Sequence, residues 1–484
     1  MCVENTRTML LSKRSFDHVS TLVASHQTPS TYEKDTYGEV FTPLHLAAEV
    51  IERVGKCAMY TKPWWSRMFG NRVVGRVDVA GVIYEVHSYW SNPELRILDP
   101  SAGIGNFCLV AYLFLDEGLK HVIQDTTMRR RHIIHNMLHM TELNRKNVDV
   151  VLRIFGKKAN VLQHDYLSET VNDAMDKKWG VHVFDLVIGN PPFNQTKNHV
   201  YGGGHTLWDR FVVRAVQHNV RDETGLLAFI HPPAWRKPGH ALWANNGMLK
   251  RYQIHYLSIQ GSSAGKDVFG CHTRFDWYVL QKTGYRGSTT IRDIDGLVHM
   301  VDYRDWPFMP NGMFDAVWKV FRLHTDPDAC FKVINGNSAL GNKPNDTMLI
   351  RKPGLHPTIY SLNTENRHRG QAAQQRGTPK YIWVQRTPAV EHHLVPKVIL
   401  SVGKYPHPII DGKGRYTMSA WVFGLSLEHL ADTGGFDVTS KKIVEALESD
   451  TFQKVMLSCK WSTKENTEER LFLHLPRDFY MYVG

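Results

Sequence analysis

Cysteine is scarce and scattered in this chain, with six residues in 484 (Cys2, Cys57, Cys108, Cys271, Cys330, Cys459) and no Cys-x-x-Cys pair. That argues against a cysteine-based zinc site and fits a reducing compartment. Long apolar runs are missing as well, none approaching the ~18 residues that cross a bilayer. The opening stretch MCVENTRTMLLSKRSF has no apolar signal core, so the expectation is a soluble, intracellular protein away from membranes. There is no internal repeat and no long low-complexity tract. Histidine is plentiful at 26 residues, yet no His-x-x-x-His pair sits with a matching acid on a convincing helix. Glu391, His392 and His393 read as surface or polar-core residues, and no metal is expected. Charge of one sign is in deficit: 58 Lys and Arg face 47 Asp and Glu, a formal net charge of +11. A balance of that kind suits a polyanionic partner such as nucleic acid.

The chain is too long for one small domain, and 42% hydrophobic residues suffice for a sizeable core. Residues 1–36 read as a helix and linker. After Thr42-Pro43, apolar residues at Leu46, Val50, Ile51 and Val54 have the spacing of an amphipathic helix entered through proline. Residues 60–93 look like an insertion, with a hairpin in VVGRVDVAGVIYEVHSYW. Then strands and helices alternate. RILDP runs into the glycine turn SAGIGNF and the helix CLVAYLFL. NVLQHDYL resembles a strand end, FDLVIG runs into Asn-Pro-Pro-Phe, and LWDRFVVRAVQHNV is a helix. GLLAFIHPP and FDWYVLQK are further strands. This rhythm predicts an α/β fold with a mostly parallel, Rossmann-like sheet. It fades near residue 290. The expected division is therefore 1–36, 37–290 and an α+β domain over 291–484.

Asn190-Pro191-Pro192-Phe193 is the most informative stretch. An amino nitrogen conjugated to a purine ring is a poor nucleophile. An Asn190 side-chain oxygen and a Pro191 carbonyl are neutral acceptors for its two N–H groups. As that nitrogen becomes tetrahedral its lone pair localises, so placed dipoles can do the chemistry without metal or covalent intermediate. Two prolines fix the carbonyl directions, and Phe193 offers a ring face for an unstacked base. The competing interpretation is an ordinary strand-ending turn, since Asn-Pro and Pro-Pro are common turn dipeptides. The second stretch is Asp99-Pro100-Ser101-Ala102-Gly103-Ile104-Gly105-Asn106-Phe107. A glycine turn at a strand's carboxyl end lets a ligand approach the backbone. A dinucleotide fingerprint would want a third glycine where Cys108 stands, and a P-loop would want Gly-Lys-Ser/Thr. Glu142 in MTELN is placed to accept ribose hydroxyls, or is a solvated helix residue; HMTELN shows no apolar strand leading to it. Asp165 in QHDYL can accept a nucleoside amino group, or lies on the surface. Thr42 can cap the following helix or face a bound carboxylate.

In that order, FTP, DPSAGIGNF, TELN, HDYL and NPPF resemble the gamma-class N6-adenine DNA methyltransferases of restriction–modification systems. The resemblance covers about residues 37–285. It implies S-adenosyl-L-methionine as methyl donor, an adenine flipped from double-stranded DNA, and a C-terminal target-recognition domain. It assigns Asn190, Pro191, Pro192 and Phe193 to the catalytic turn. Thr42, Asp99, Gly103, Gly105, Glu142 and Asp165 go to the cofactor site. A separate restriction endonuclease is a possible partner.

Residues 366–418 carry nine Lys and Arg against Glu391 and Asp411. Arg367, Arg369, Arg376, Lys380 and Arg386 are the expected DNA contacts, with Asn366, Gln371, Gln374 and Gln375 among them. The bland alternative is a solvated basic face. Three rival functions stay open. One is methylation of RNA adenine or a protein glutamine. Another is a catalytically silent DNA-binding subunit. The third is a fused nuclease, for which the roughly 40 residues before FTP are too few and Asp78, Glu85 and His87 only a faint echo.

Overall fold

In the computed structural model, the alternation of apolar runs with glycine turns becomes a nine-stranded mixed sheet. The structure describes residues 41–58, 71–194, 206–244, 247–323, 326–340, 346–351, 353–363, 378–385, 388–403, 407–431, 434–462 and 467–483. The expected helix and linker over 1–36 lie outside these residues. The chain forms two compact units, Met1–Trp235 with Ala241–Arg304, and Arg236–His240 with Asp305–Gly484.

The first unit begins with helix α1 (Leu44–Cys57), which buries Leu46, Val50, Ile51 and Val54 as its apolar spacing predicts. Pro43 occupies the N-cap with no side-chain cap bond, so Thr42 is not the cap the sequence offered. A hairpin follows, β1 (Val73–Val79) and β2 (Val82–His87), paired antiparallel. It leads into Tyr89 and Trp90, both buried. The Trp90 ring meets Phe114 edge-on at 5.8 Å. This segment is therefore part of the core, not an appendage.

The remaining elements are β3 (Ile97–Asp99), α2 (Asn106–Gly118), α3 (Thr126–His132), β4 (Leu138–Glu142), α4 (Arg145–Phe155), β5 (Asn160–Gln163), α5 (Val171–Trp179), β6 (Leu186–Gly189), α6 (Trp208–Arg214), β7 (Leu226–His231), β8 (Tyr252–Gln260), α7 (Ser262–Phe269), β9 (Phe275–Gly284), β10 (Thr289–Arg292) and β11 (Val298–Val301). Their spatial order is β11-β10-β8-β9-β7-β6-β3-β4-β5. The run from β7 to β5 is parallel, with β9 antiparallel to both β7 and β8. Every residue of β3, β4, β6 and β7 is buried, which requires cover on both faces of the sheet. Chain order reverses between β3 and β6. That crevice, at the carboxyl ends of the strands, is where open α/β sheets hold ligands.

Two features differ from the sequence expectation. Residues 138–142 form a fully buried strand, although HMTELN lacks an apolar run; His139 and Thr141 are buried there through bonds to the Ile97 and Pro100 carbonyls. The sheet also continues past residue 290. β10 adds in parallel to β8, and β11 pairs with β10, so the first unit ends at Arg304. Short polar edge strands carry little apolar signal for sequence to display.

The second unit contains α8 (Phe314–Phe321), β12 (Val333–Ile334), β13 (His356–Asn363), β14 (Thr378–Val384), β15 (Lys397–Ser401), β16 (Ile409–Asp411), β17 (Thr417–Met418), β18 (Val422–Ser426), α9 (Phe436–Glu448) and α10 (Asp450–Ser458). Its strands form sheets ordered β12-β18-β15-β16 and β14-β13-β17. Arg236, fully buried, donates to the Met309 and Pro310 carbonyls and to Asn311 Oδ1, which holds residues 236–240 in this unit. Among the described residues no helix is long and apolar enough to cross a membrane.

Replacing Trp90 by alanine removes a fully buried ring and is expected to destabilise the first unit by ~3–5 kcal/mol. Urea denaturation followed by circular dichroism measures this, and an unchanged midpoint would place the hairpin outside the cooperative core.

Candidate active site

The glycine loop is built by three ties. Ala102 N–H donates to the Thr141 carbonyl at 3.0 Å, and Thr141 Oγ1 donates to the Pro100 carbonyl at 2.7 Å. Gly103 N–H donates to Glu142 Oε2 at 2.8 Å. These bonds span neighbouring strands, so the loop's path is set by the pairing of β3 with β4. Gly103 and Gly105 both have positive φ, +54° and +89°. A Cβ on Gly105 would also stand 3.1 Å from the Phe155 ring, and one on Gly103 3.0 Å from the Phe41 ring. The loop ends at α2, whose first turn directs backbone N–H groups out of the helix.

Thr42 is buried beside this loop. Asn106 Nδ2, at the start of α2, donates to the Thr42 carbonyl at 2.7 Å. The Phe-Thr-Pro segment and the glycine loop, some sixty residues apart in sequence, are thus neighbours in space. Asn106 stands in the loop motif, and the family resemblance gives it no role. Its buried Oδ1 has no hydrogen-bond partner among the described residues, and neither has buried Ser101 Oγ. Two orphaned acceptors lining a glycine loop are a cost that a bound polar ligand would relieve.

The carboxylates take different places. Asp99 is 1% exposed, and its Oδ1 accepts from Ser101 N–H at 3.1 Å. Burial pushes Asp99 up to about 8, against the pull of the Ser101 amide, and the nearby Glu142 charge adds to the rise. Glu142 is also buried; Oε1 accepts from Asn144 N–H at 2.7 Å while Oε2 holds Gly103. It is neither a solvated helix residue nor a side chain without structural work, though each oxygen keeps a second lone pair. Asp165 is exposed beyond the carboxyl end of β5, accepting from Leu167 N–H at 2.9 Å. It lies on the same edge of the sheet, one strand beyond Glu142.

The Asn-Pro-Pro-Phe turn leaves β6 beside this group. β6 pairs in parallel with β3, Leu186 with Ile97 and Val187 with Leu98. A Cβ on Gly189 would stand 2.8 Å from Asp99 Oδ1, so only glycine lets the turn begin this close to the acid. Asn190 is half-buried and Pro191 buried. The half-buried Phe193 ring meets Phe269 of α7 edge-on at 6.2 Å, and its carbonyl accepts from Leu207 N–H at 3.2 Å. Phe269 carries no local motif, so sequence had no signal for it. The site residues of the first unit therefore stand together along one edge, with Asp165 at its margin.

The basic positions fare differently. Arg367, Arg369, Arg376 and Arg386 lie outside the described residues. Lys380 is half-buried in β14 with its Nζ 5.6 Å from the Tyr360 ring centroid. Lys397, counted in the basic run, is fully buried and paired with Asp411 at 2.7 Å, so it is a core residue. His393 is buried too, with Nε2 against the Asn335 carbonyl and Nδ1 accepting from Met418 N–H. Among the described residues no cluster of three or more His, Cys, Asp or Glu could hold a metal ion.

No family model matches the chain. The structure of a type IIL restriction–modification enzyme, MmeI, in complex with DNA is similar over 91% of this chain and 68% of that one, at TM-score 0.50 and 10% identity. The first unit has the Rossmann-like methyltransferase fold. The type I restriction enzyme EcoKI M protein aligns with this methyltransferase-fold chain at TM-score 0.31 and 14% identity, over 42% of this chain and 44% of that protein. A curated protein of Mycoplasma pneumoniae, described as an uncharacterized adenine-specific methylase, is 23% identical over 281 residues, 43% of this chain. The match spans 65% of that relative, less than two thirds of its length. The description of the curated relative agrees with the family resemblance carried by the sequence motifs.

A carboxyl group raised by burial contributes stability that is complete below its unfolded value, near 4, and lost as pH rises through about 8. The protein is therefore expected to lose thermal stability between about pH 4 and pH 8 and to level off above that, and Asp99→Asn to flatten that loss. Melting temperatures of both proteins across the range check this; parallel curves would mean that folding does not raise the Asp99 carboxyl.

Proposed function

We propose that this chain transfers a methyl group from S-adenosyl-L-methionine to N6 of an adenine extruded from double-stranded DNA. The observation that carries the reading is the contact between Gly189 and Asp99. It sets an Asn-Pro-Pro-Phe turn against a glycine loop at the switch point of a methyltransferase fold.

The residues fit the cofactor that this fold implies. Orphaned Asn106 Oδ1 and Ser101 Oγ, buried Asp99 and the glycine backbone form a polar, close-approach cradle. Asp99, Gly103, Gly105, Thr42 and Glu142 would hold the cofactor, with Asp165 at the margin. Bound there, it supplies an electrophilic methyl group on a sulfonium. A positive charge there would favour the ionised form of Asp99, which burial alone disfavours. The rest of the chemistry belongs to the turn. Asn190 Oδ1 and the Pro191 carbonyl accept the two N–H groups of the amino nitrogen, favouring the tetrahedral form in which its lone pair is free to attack. The Phe193 ring carries the base, and Phe269 keeps that ring from turning. After transfer one proton passes from the nitrogen to solvent water, and no residue need hold it permanently.

The second unit supports a nucleic-acid substrate. On β14, exposed Tyr381 alternates with buried Ile382. The Tyr381 ring lies 5.5 Å from that of Tyr416. Exposed Arg415 stands 5.7 Å from the Tyr416 centroid, and exposed Arg351 stands 5.2 Å from that of Trp383. Cations interleaved with aromatic faces suit phosphates and sugars. A role for this unit in target recognition is part of the same proposal.

Transfer of tritiated methyl from the cofactor to duplex DNA, RNA and protein tests the whole reading; label on RNA or protein alone would replace it with one of the rivals. Asn190→Ala is expected to slow transfer by ~10²–10³-fold while cofactor affinity, measured by calorimetry, is kept. Loss of both would mean that the turn is structural. Arg415→Ala is expected to weaken DNA binding and lower the slope of log affinity against log salt by about 1. An unchanged slope would move the phosphate contact elsewhere.

A further inference from the structure

Behind the Asn-Pro-Pro-Phe turn lies a polar cluster that the scheme above does not use. β7 ends at His231, which is fully buried. Its Nδ1 stands 3.0 Å from the Pro232 carbonyl and its Nε2 3.2 Å from the Tyr278 hydroxyl. A carbonyl can only accept, so Nδ1 carries the proton. Nε2 pairs with the hydroxyl of Tyr278, whose ionisation burial and the Asp276 charge push well above the usual range. Two hydrogen bonds fix the plane of the imidazole.

Trp208, also fully buried, lies on that plane, ring centroids 4.5 Å apart and 16° from parallel. It is the first residue of α6. The residue before it, Leu207, donates its N–H to the Phe193 carbonyl. One residue earlier still, Thr206 forms an antiparallel bridge with Asn194. The chain leaves the turn at Asn194 and returns at Thr206, and the Trp208–His231 stack anchors that return.

We propose that His231 is a positioning residue for the transfer reaction: an imidazole platform that sets Trp208, and through the Leu207 amide holds the Phe193 limb of the turn. This rests on the functional reading above. The physical reason is that catalysis by placed acceptors is steeply sensitive to alignment, an error near 1 Å costing ~10²-fold. Simple core packing would require only an apolar filler at this position, not a ring with both nitrogens bonded in one plane.

The test uses the full chain, adenine-unmethylated phage DNA and tritiated S-adenosyl-L-methionine, together with amide hydrogen exchange of the peptide covering 206–214. His231→Ala is expected to lower kcat by ~10–100-fold, to leave KM for the cofactor within about twofold, and to speed exchange at the Leu207 amide. His231→Phe, which keeps a flat ring under Trp208, is expected to restore most of that protection and part of kcat. If His231→Ala does not fold, Tyr278→Phe takes its place, removing one hydroxyl that fixes the ring; it is expected to lower kcat severalfold at unchanged cofactor KM. Unchanged kcat and unchanged Leu207 protection in the folded variants would overturn the proposal. So would a fall in cofactor affinity as large as that in kcat. Absence of transfer by the unmodified protein would defeat the functional reading instead, and exchange at Leu207 would still decide the positional claim.

Discussion

Parallel pairing of β6 with β3 is the constraint on which the site depends. It sets Gly189 against Asp99, and so brings the glycine loop and the Asn-Pro-Pro-Phe turn to one point of the sheet edge. Neither segment has long-range reach of its own. The loop is short and tied to β4 through Thr141 and Glu142, and the turn is stiffened by two prolines. A one-residue slip of β6 would move Gly189 away from Asp99 and turn the following side chains to the other face. The fully buried strands guard against such a slip, because every residue of β3, β4, β6 and β7 would have to be repacked.

The edge so formed concentrates polar groups where burial is costly. Two carboxyl groups, Asp99 and Glu142, are both buried. Glu142 is compensated by two backbone N–H groups, whereas Asp99 receives one and is raised by its surroundings. Asn106 Oδ1 and Ser101 Oγ add uncompensated acceptors. Native interiors leave few such groups, and those they leave tend to mark function. The loop is thus organised before any ligand arrives, and its acceptors need not reorganise to meet one.

The second unit shows the opposite use of charge. Lys397 and Asp411 are both fully buried and face each other. The Lys397 ammonium also donates to the His393 and Val395 carbonyls, while Asp411 accepts from the Arg415 and Tyr416 amides. With both partners satisfied, the pair secures the turn that carries Arg415 and Tyr416 to the surface. One member of a run of basic residues is a structural pin, and another is on display.

Much of this was legible in the sequence because its signals are local. Apolar runs ending in glycine or proline turns give the strands, amphipathic spacing gives α1, and the conformations of Gly103 and Gly105 are ones that glycine adopts at little cost. Asn190 to Phe193 could be singled out because the chemistry is held within four adjacent residues. Other features depended on partners distant in the chain. The strand leading to Glu142 alternates Leu138 and Met140 with His139 and Thr141, whose polar groups are met by the Ile97 and Pro100 carbonyls. Thr42 meets the loop through Asn106 rather than through a cap, Phe269 reaches Phe193 from another helix, and Lys397 looks like any surface lysine until Asp411 is opposite it. Sequence determined which backbone conformations and which functional groups were present. Tertiary structure decided which groups share a low-dielectric space, because burial and pairing belong to strands brought side by side, not to any one of them.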